Sequence, residues 1–375
     1  MKEFFGTQMP KLGFGLMRLP RLEDGKTIDV EQCEIMTDKF LDAGMRYFDT
    51  AYVYEGSEEA AAKFLVNRHP RDSYYLADKL NASSWAAKSA DEARRELQVS
   101  LDRTGAGYFD FYLLHALSAD SLKYYDEYGI WDFAAKAKEQ GLVRHVGFSF
   151  HDHPDVLDKI LTEHPEVEFV QLQLNYGDWE SPSVCSRENY EVAVKHGKPV
   201  VVMEPVKGGL LANPPKQVQD ILRAANPDAS IASWAIRFVA SLENVMVVLS
   251  GMSNIAQMDD NLSYMRDFQP LNSDEHAAVE RASKTLASID QIPCTGCHYC
   301  TGGCPQQIDI PSIFSAVNKN MVYGDLAGAK RSYAMATNGD HGKASDCIHC
   351  LQCENACPQH LPITSLLEKA ADTLE

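Results

Sequence analysis

Eight cysteines stand in two runs near the C-terminal end of the chain, CTGCHYCTGGCP at 294–305 and CIHCLQCENACP at 347–358. Both read C-x2-C-x2-C-x3-C-P. The first run holds Cys294, Cys297, Cys300 and Cys304, the second Cys347, Cys350, Cys353 and Cys357. The x2 spacings bring three sulfurs to one side of a tight loop. Backbone amides of such a loop can point at the inorganic centre and offset its negative charge. Thiolates so arranged can wrap a compact iron–sulfur cube. Two zinc sites of four cysteines each are the competing assignment, although zinc usually takes paired C-x2-C knuckles rather than a chained triplet. His298 and His349 lie between the thiols and are read as surface residues, because enough cysteines are present without them. Only Cys33 and Cys185 lie outside the runs, and both are read as inert packing.

A second set of reactive types is spread over the first third of the chain. Asp49 sits in FDTAYVYEGSEE, with Tyr54 five residues on; Lys79 sits in YYLADKL and His115 in FYLLHAL. A free phenol has a pKa of about 10, too high for efficient proton exchange near neutrality. A neighbouring ammonium stabilises phenolate and lowers that value. A buried ammonium in turn needs a carboxylate, and Asp49 is the candidate. A histidine beside them could orient a substrate oxygen.

These residues do chemistry together only if the fold brings them together. Apolar runs of strand length recur at KLGFGL (11–16), RYFDT (46–50), YYLAD (74–78), FDFYLLH (109–115), VRHVGFS (143–149), EFVQLQ (168–173), PVVVM (199–203) and VMVVLS (245–250). Their apolar, partly β-branched or aromatic make-up suits strands buried on both faces. Helical segments fall between them. Asp29 and Gly44 bracket one, and Ser89 with Glu92 forms a capping box before another that stops at Gly105. Eight strand–helix pairs predict an α/β protein with a closed (β/α)8 barrel over residues 1–265. An open doubly wound sheet is the competitor, but GFGLMR after the first strand is not the G-x-G-x-x-G turn expected there. Asp49, Lys79 and His115 then mark three consecutive strand ends, where barrel chemistry is carried out. Residues 266–290 read as a linker helix and 291–375 as a small cysteine-rich domain. Within that domain CPQQIDIPSIF (304–314) aligns without a gap on CPQHLPITSLL (357–367), the mark of a duplicated unit.

The cysteine pattern resembles that of bacterial two-cluster ferredoxins, which implies a small α+β ferredoxin-like domain with two [4Fe–4S] clusters. The resemblance implies crossed ligation: Cys294, Cys297, Cys300 with Cys357, and Cys347, Cys350, Cys353 with Cys304. Residues 9–265 resemble the aldo-keto reductases, whose tetrad is matched by Asp49, Tyr54, Lys79 and His115. That resemblance implies hydride exchange between NADP or NAD and a small carbonyl or alcohol, with Tyr54 as proton donor. It also implies that Ser149 in GFS and Gln171 in VQLQLNY hold the nicotinamide amide. The segment MVVLSGMSNIAQMDDNL would hold the adenosine phosphate, through Gly251, Ser253 and Gln257, with Asn261 at the adenine. No basic residue stands between Gly251 and Asn261, so the NADP-type charge partner is missing there and NAD stays open. Lys207 is a candidate for the pyrophosphate.

Nicotinamide moves two electrons and a cluster moves one, so direct coupling needs a mediator such as a flavin. FMN is therefore carried as an open cofactor, and a ferredoxin or flavoprotein as an open redox partner. Two alternatives stand beside the reductase reading. One is an electron-transfer protein with an idle tetrad, and the other a reductase whose clusters are structural or sense oxygen. A formal charge of −18 would repel a nucleic acid or an anionic membrane, so neither is expected as a partner. No apolar run is long enough to span a membrane, and the N-terminal residues have no signal-peptide character, so a cytoplasmic protein is expected.

Overall fold

A computed structural model describes residues 3–375. The chain divides into two compact units. One comprises the residues up to Val206 together with Asp228–His276; the other comprises Lys207–Pro227 and Ala277–Glu375.

The first unit is the expected barrel. Its strands are β1 (Leu12–Gly15), β2 (Tyr47–Asp49), β3 (Tyr75–Leu80), β4 (Phe109–Leu117), β5 (Val143–Phe150), β6 (Phe169–Gln173), β7 (Val200–Met203) and β8 (Val245–Ser250). Each pairs in parallel with its sequence neighbours, and β1 closes the ring on β8. Closure leaves no sheet edge, so every strand is walled on both faces, which is why alternation is absent from the runs. One apolar core cluster is drawn largely from alternate strand positions, including Tyr47, Ala77, Phe111, Phe169, Val201 and Val247. The fit is tight: a Cβ added at Gly147 would lie 2.5 Å from the Phe169 carbonyl oxygen, so β5 and β6 approach there only because position 147 has no side chain.

Helix boundaries follow the caps. Asp29 accepts from the Gln32 amide at the start of Val30–Asp42, and Ser89 from the Glu92 amide at the start of Ala90–Thr104. The expected capping box is altered in one respect. The Glu92 carboxylate reaches the amide of Lys88, one residue before the cap, at 2.7 Å. Gly105 ends that helix in the left-handed region, at φ 65°.

The second unit is helical. It contains Lys216–Ala225, Ile310–Tyr323, Leu326–Ala336, Gln352–Asn355 and Ile363–Leu374. Among the described residues 291–375 contain no strand, so the α+β expectation is met only in its helical half. The cause is local. Each cysteine run carries left-handed residues at matching places, Gly296 and His349, His298 and Leu351, Gln307 and His360. Such positions break a pleat, and the helix that follows each run buries the apolar side chains instead. Ile308 and Leu361, Ile310 and Ile363, and Phe314 and Leu367, the paired positions of the duplication, all enter one core. Among the described residues no helix is long and apolar enough to cross a membrane.

Candidate active site and thiol pockets

Three consecutive strand ends place Asp49, Lys79 and His115, and all three are buried. The Lys79 ammonium lies 2.5 Å from Asp49 Oδ1 and 2.6 Å from the Thr50 carbonyl oxygen. Tyr54 is half-buried on the loop after β2. Its ring centroid is 4.8 Å from Lys79 Nζ and 5.8 Å from the His115 ring, which stands edge-on at 82°. The loop is pinned at both ends. The Tyr54 amide donates to the Ala51 carbonyl, and Ser57 bonds to both Thr50 and the Leu16 carbonyl. The four residues singled out in the sequence are therefore brought to one place.

His115 owes its position to a feature invisible in the run FYLLH. The β4–β5 register shifts between Leu114 and Leu117, and Ala116 is left-handed at φ 56°. A non-glycine residue in that region costs about 1–2 kcal/mol. The Ala116 amide, turned out of the ladder, donates to Ser149 Oγ at 2.7 Å. Bulges of this kind commonly re-aim a side chain beside an active site. Burial, then the charge of Lys79, pushes the His115 imidazole well below its usual range, so it is neutral. Burial likewise pushes the Asp49 carboxyl up, while the Lys79 ammonium holds it down. The geometry suits a phenol acting on a neighbouring oxygen, with an ammonium behind the ring and a neutral imidazole at its side.

Ser149 and Gln171 are register partners across β5 and β6. Gln171 Nε2 faces Met203 Sδ at 3.6 Å, and its buried Oε1 has no hydrogen-bond partner. A buried amide oxygen without a donor costs about 1–3 kcal/mol. A ligand amide would satisfy it, so this position fits a nicotinamide carboxamide. The strand-8 residues are engaged within the protein. Ser253 donates through its amide to Gln257 Oε1 and through its hydroxyl to the Arg18 carbonyl, both at 2.7 Å. Asn261 donates to Ser250 Oγ at 2.6 Å and accepts from the Tyr264 hydroxyl, so its amide faces inward. Lys207 belongs to the second unit, where it is buried.

Sequence reasoning missed Arg18. It ends the turn Leu16–Arg18 after β1. Its side-chain stem lies 3.6 Å from where a Cβ at Gly251 would sit, and its guanidinium is 3.7 Å from Glu204. A cation is thus carried to the strand-8 loop from across the β1–β8 seam. The signal was an arginine just beyond the first apolar run, legible only once closure of the barrel is assumed.

A second buried group lies beside Lys79. Glu58, Asp78 and Glu96 are all buried, with Arg103 2.7 Å from Glu58. Burial, followed by the Glu58 charge, holds the Asp78 carboxyl well above its usual range. Burial pushes Glu96 up to about 8, from 4.5. Between these values Glu96 holds a proton only in the folded state, so its contribution to stability is full below 4.5 and lost as pH rises through about 8. Glu96→Gln is expected to flatten the fall in Tm between about pH 5 and pH 8. It should stabilise the protein at about pH 9 by on the order of 2–4 kcal/mol. Thermal melts across that range check this, and an undiminished fall in the variant would show that Glu96 does not titrate so.

The thiols of the second unit form two pockets. Cys294, Cys297, Cys300 and Cys357 line one, and Cys304, Cys347, Cys350 and Cys353 the other. Each pocket therefore takes three sulfurs from one run and the fourth from the other. Among the described residues no three His, Cys, Asp or Glu side chains are placed to hold a single metal ion. Burial pushes the Cys353 thiol up to about 11 and raises Cys300 further, so thiolates here need a cation beside them. This donor set fits a multinuclear cluster better than zinc.

Comparison with known proteins agrees with both halves. Residues 11–284 match the model of the aldo/keto reductase family, and residues 293–361 match that of a 4Fe-4S dicluster domain. An aldo-keto reductase of Mycolicibacterium vanbaalenii is 31% identical over 276 residues, 72% of this chain and 88% of that protein. Aldo-keto reductase AKR11C1 from Bacillus halodurans, in its holo form, superposes with TM-score 0.59 at 24% identity, over 74% of this chain and 93% of that one. A Klebsiella pneumoniae aldo-keto reductase in complex with NADPH gives TM-score 0.57 at 21% identity, over 73% and 90%. With the barrel, the residues at its strand ends and the paired thiol pockets in place, the chain belongs to the aldo/keto reductase family and carries a C-terminal 4Fe-4S dicluster domain.

Proposed function

We propose that the protein is an oxidoreductase that interconverts a small carbonyl compound and its alcohol with a nicotinamide dinucleotide, and that its second unit holds two [4Fe–4S] clusters. The observation that carries the reading is the placement of Lys79 between Asp49 and the Tyr54 ring. When bound, the dinucleotide supplies hydride and the clusters carry single electrons. Tyr54 gives its phenolic proton to the substrate oxygen. Lys79 stabilises the phenolate left behind, and Asp49 keeps that ammonium charged in a buried position. Neutral His115 orients the same oxygen by hydrogen bonding. Gln171 and Ser149 lie where a carboxamide would be held, and the four cysteines of each pocket would hold one cluster.

Protein purified without oxygen should contain iron and sulfide, and should oxidise NADH or NADPH with a panel of aldehydes, ketones and sugars. Zinc in place of iron would sink the cluster assignment, and no turnover across the panel would sink the reductase. Arg18 gives a further check. Because it supplies the cation that the strand-8 loop lacks, Arg18→Ala should weaken dinucleotide binding by about tenfold, the usual scale for one charge-assisted contact. Fluorescence titration with NADPH and NADH measures it. A larger loss for NADPH places Arg18 at the 2′-phosphate, and equal losses place it at the pyrophosphate.

A further inference from the structure

The two cysteine runs are copies of one unit, so each serves as a control for the other. Thr295 and Ile348 follow the first cysteine of their runs. Thr295 is buried, and a Cβ added at Gly208 would lie 2.2 Å from its carbonyl oxygen, so the turn Lys207–Ala212 is packed against it. Ile348 is 58% exposed. Leu351, the counterpart of His298, is 47% exposed. Cys350 lies between them and, among the described residues, is the one exposed cysteine. The first run therefore has a covered threonine and a polar histidine where the second has two uncovered aliphatic side chains. Ile348 and Leu351 also line the second thiol pocket. Exposed apolar groups grouped around a buried function commonly mark an interaction site.

We propose that this face is where a one-electron carrier protein docks, with Ile348 and Leu351 as the apolar contacts around Cys350. The proposal rests on the cluster reading above. In the contact one electron would pass between a cluster held by Cys304, Cys347, Cys350 and Cys353 and the carrier's own redox centre. One is oxidised as the other is reduced, and no proton or bond moves. Size argues for a carrier rather than a second copy of the chain. Two aliphatic side chains cover far less than the ~1,200–2,000 Å² of a stable interface, and transient redox encounters sit at the low end of interface size. Residues 291–375 carry 5 basic and 8 acidic groups, so only −3 of the −18 lies in this segment, and binding of an acidic carrier should strengthen as salt is raised.

The test uses the iron-replete full chain under argon with a flavodoxin as carrier. Binding is measured calorimetrically with both proteins oxidised, and electron exchange by stopped flow with reduced flavodoxin. Reduced methyl viologen is the control, since a small dye needs no docking face. Ile348→Asp and Leu351→Glu should each weaken flavodoxin binding and slow exchange by about tenfold, the scale of a central interface residue. Exchange with viologen should fall much less than exchange with flavodoxin in both variants; an equal fall with both would place the effect on the cluster and overturn the proposal. Unchanged flavodoxin binding and exchange in both variants would overturn the proposal, as would a wild type that neither binds nor exchanges with flavodoxin. A wild-type dimer that Ile348→Asp dissolves in the ultracentrifuge would assign the face to a second copy and overturn it as well. Wild-type protein without iron would sink the cluster reading itself, a result separate from all of these.

Discussion

Tyr54→Phe is expected to lower carbonyl turnover by about 10³–10⁴-fold, at the upper end of what a positioned general acid contributes. The substitution removes one oxygen and nothing else. The ring stays, and with it the cation–π contact to Lys79 and the edge contact to His115. The half-buried site loses no packing that would disturb the barrel, so dinucleotide affinity should hold within about twofold. No neighbour can replace the proton. His115 is held neutral by burial, and the Lys79 ammonium is engaged by Asp49 and the Thr50 carbonyl. Initial rates beside fluorescence titration of the cofactor separate the two quantities. Wild-type turnover in the variant would remove Tyr54 from the mechanism, and loss of cofactor binding would show that the phenol is structural.

The second large effect concerns the crossing of the thiol runs. Cys297→Ser and Cys357→Ser should each remove about half of the bound iron, because both residues line the same pocket. The double variant should lose no more than either single one. Cys350→Ser combined with Cys357→Ser, which lie in one run but in different pockets, should lose nearly all of it. Iron and sulfide analysis with visible absorption reads the outcome, and circular dichroism monitors the helices. If the Cys350/Cys357 pair kept half the iron, each run would bind its own metal and the pocket assignment would fall. The effect on folding should be large too, since Cys300 and Cys353 are part of the helical unit's core.

Much of the barrel was legible because burial on both faces leaves an unmistakable trace. Runs such as VMVVLS and PVVVM suit strands walled in by helices, and all eight, β4 included, appear within a residue or two of their expected ends. Strand β4 runs on to Leu117 through a bulge, which depends on a hydrogen bond from Ala116 to Ser149, a residue far away in the chain. Arg18 was hidden for a related reason: its partners Gly251 and Glu204 belong to the other end of the barrel sequence. The carboxyl group of Glu58, Asp78 and Glu96 gave no motif at all, since three acids on separate elements look like ordinary surface charges until packing buries them.

The amino-acid order by itself determined the identity of the reactive groups, the count of strands and the duplication of the thiol unit, because these follow from residue type, period and repeat. Tertiary structure alone decided which groups meet. It set the Lys79 ammonium between a carboxylate and a phenol, turned Asn261 away from the surface, made the second unit helical, and covered Thr295 while leaving Ile348 bare. Contacts between distant segments depend on how the barrel closes and how helices pack over each run, and neither can be read from a local window of residues.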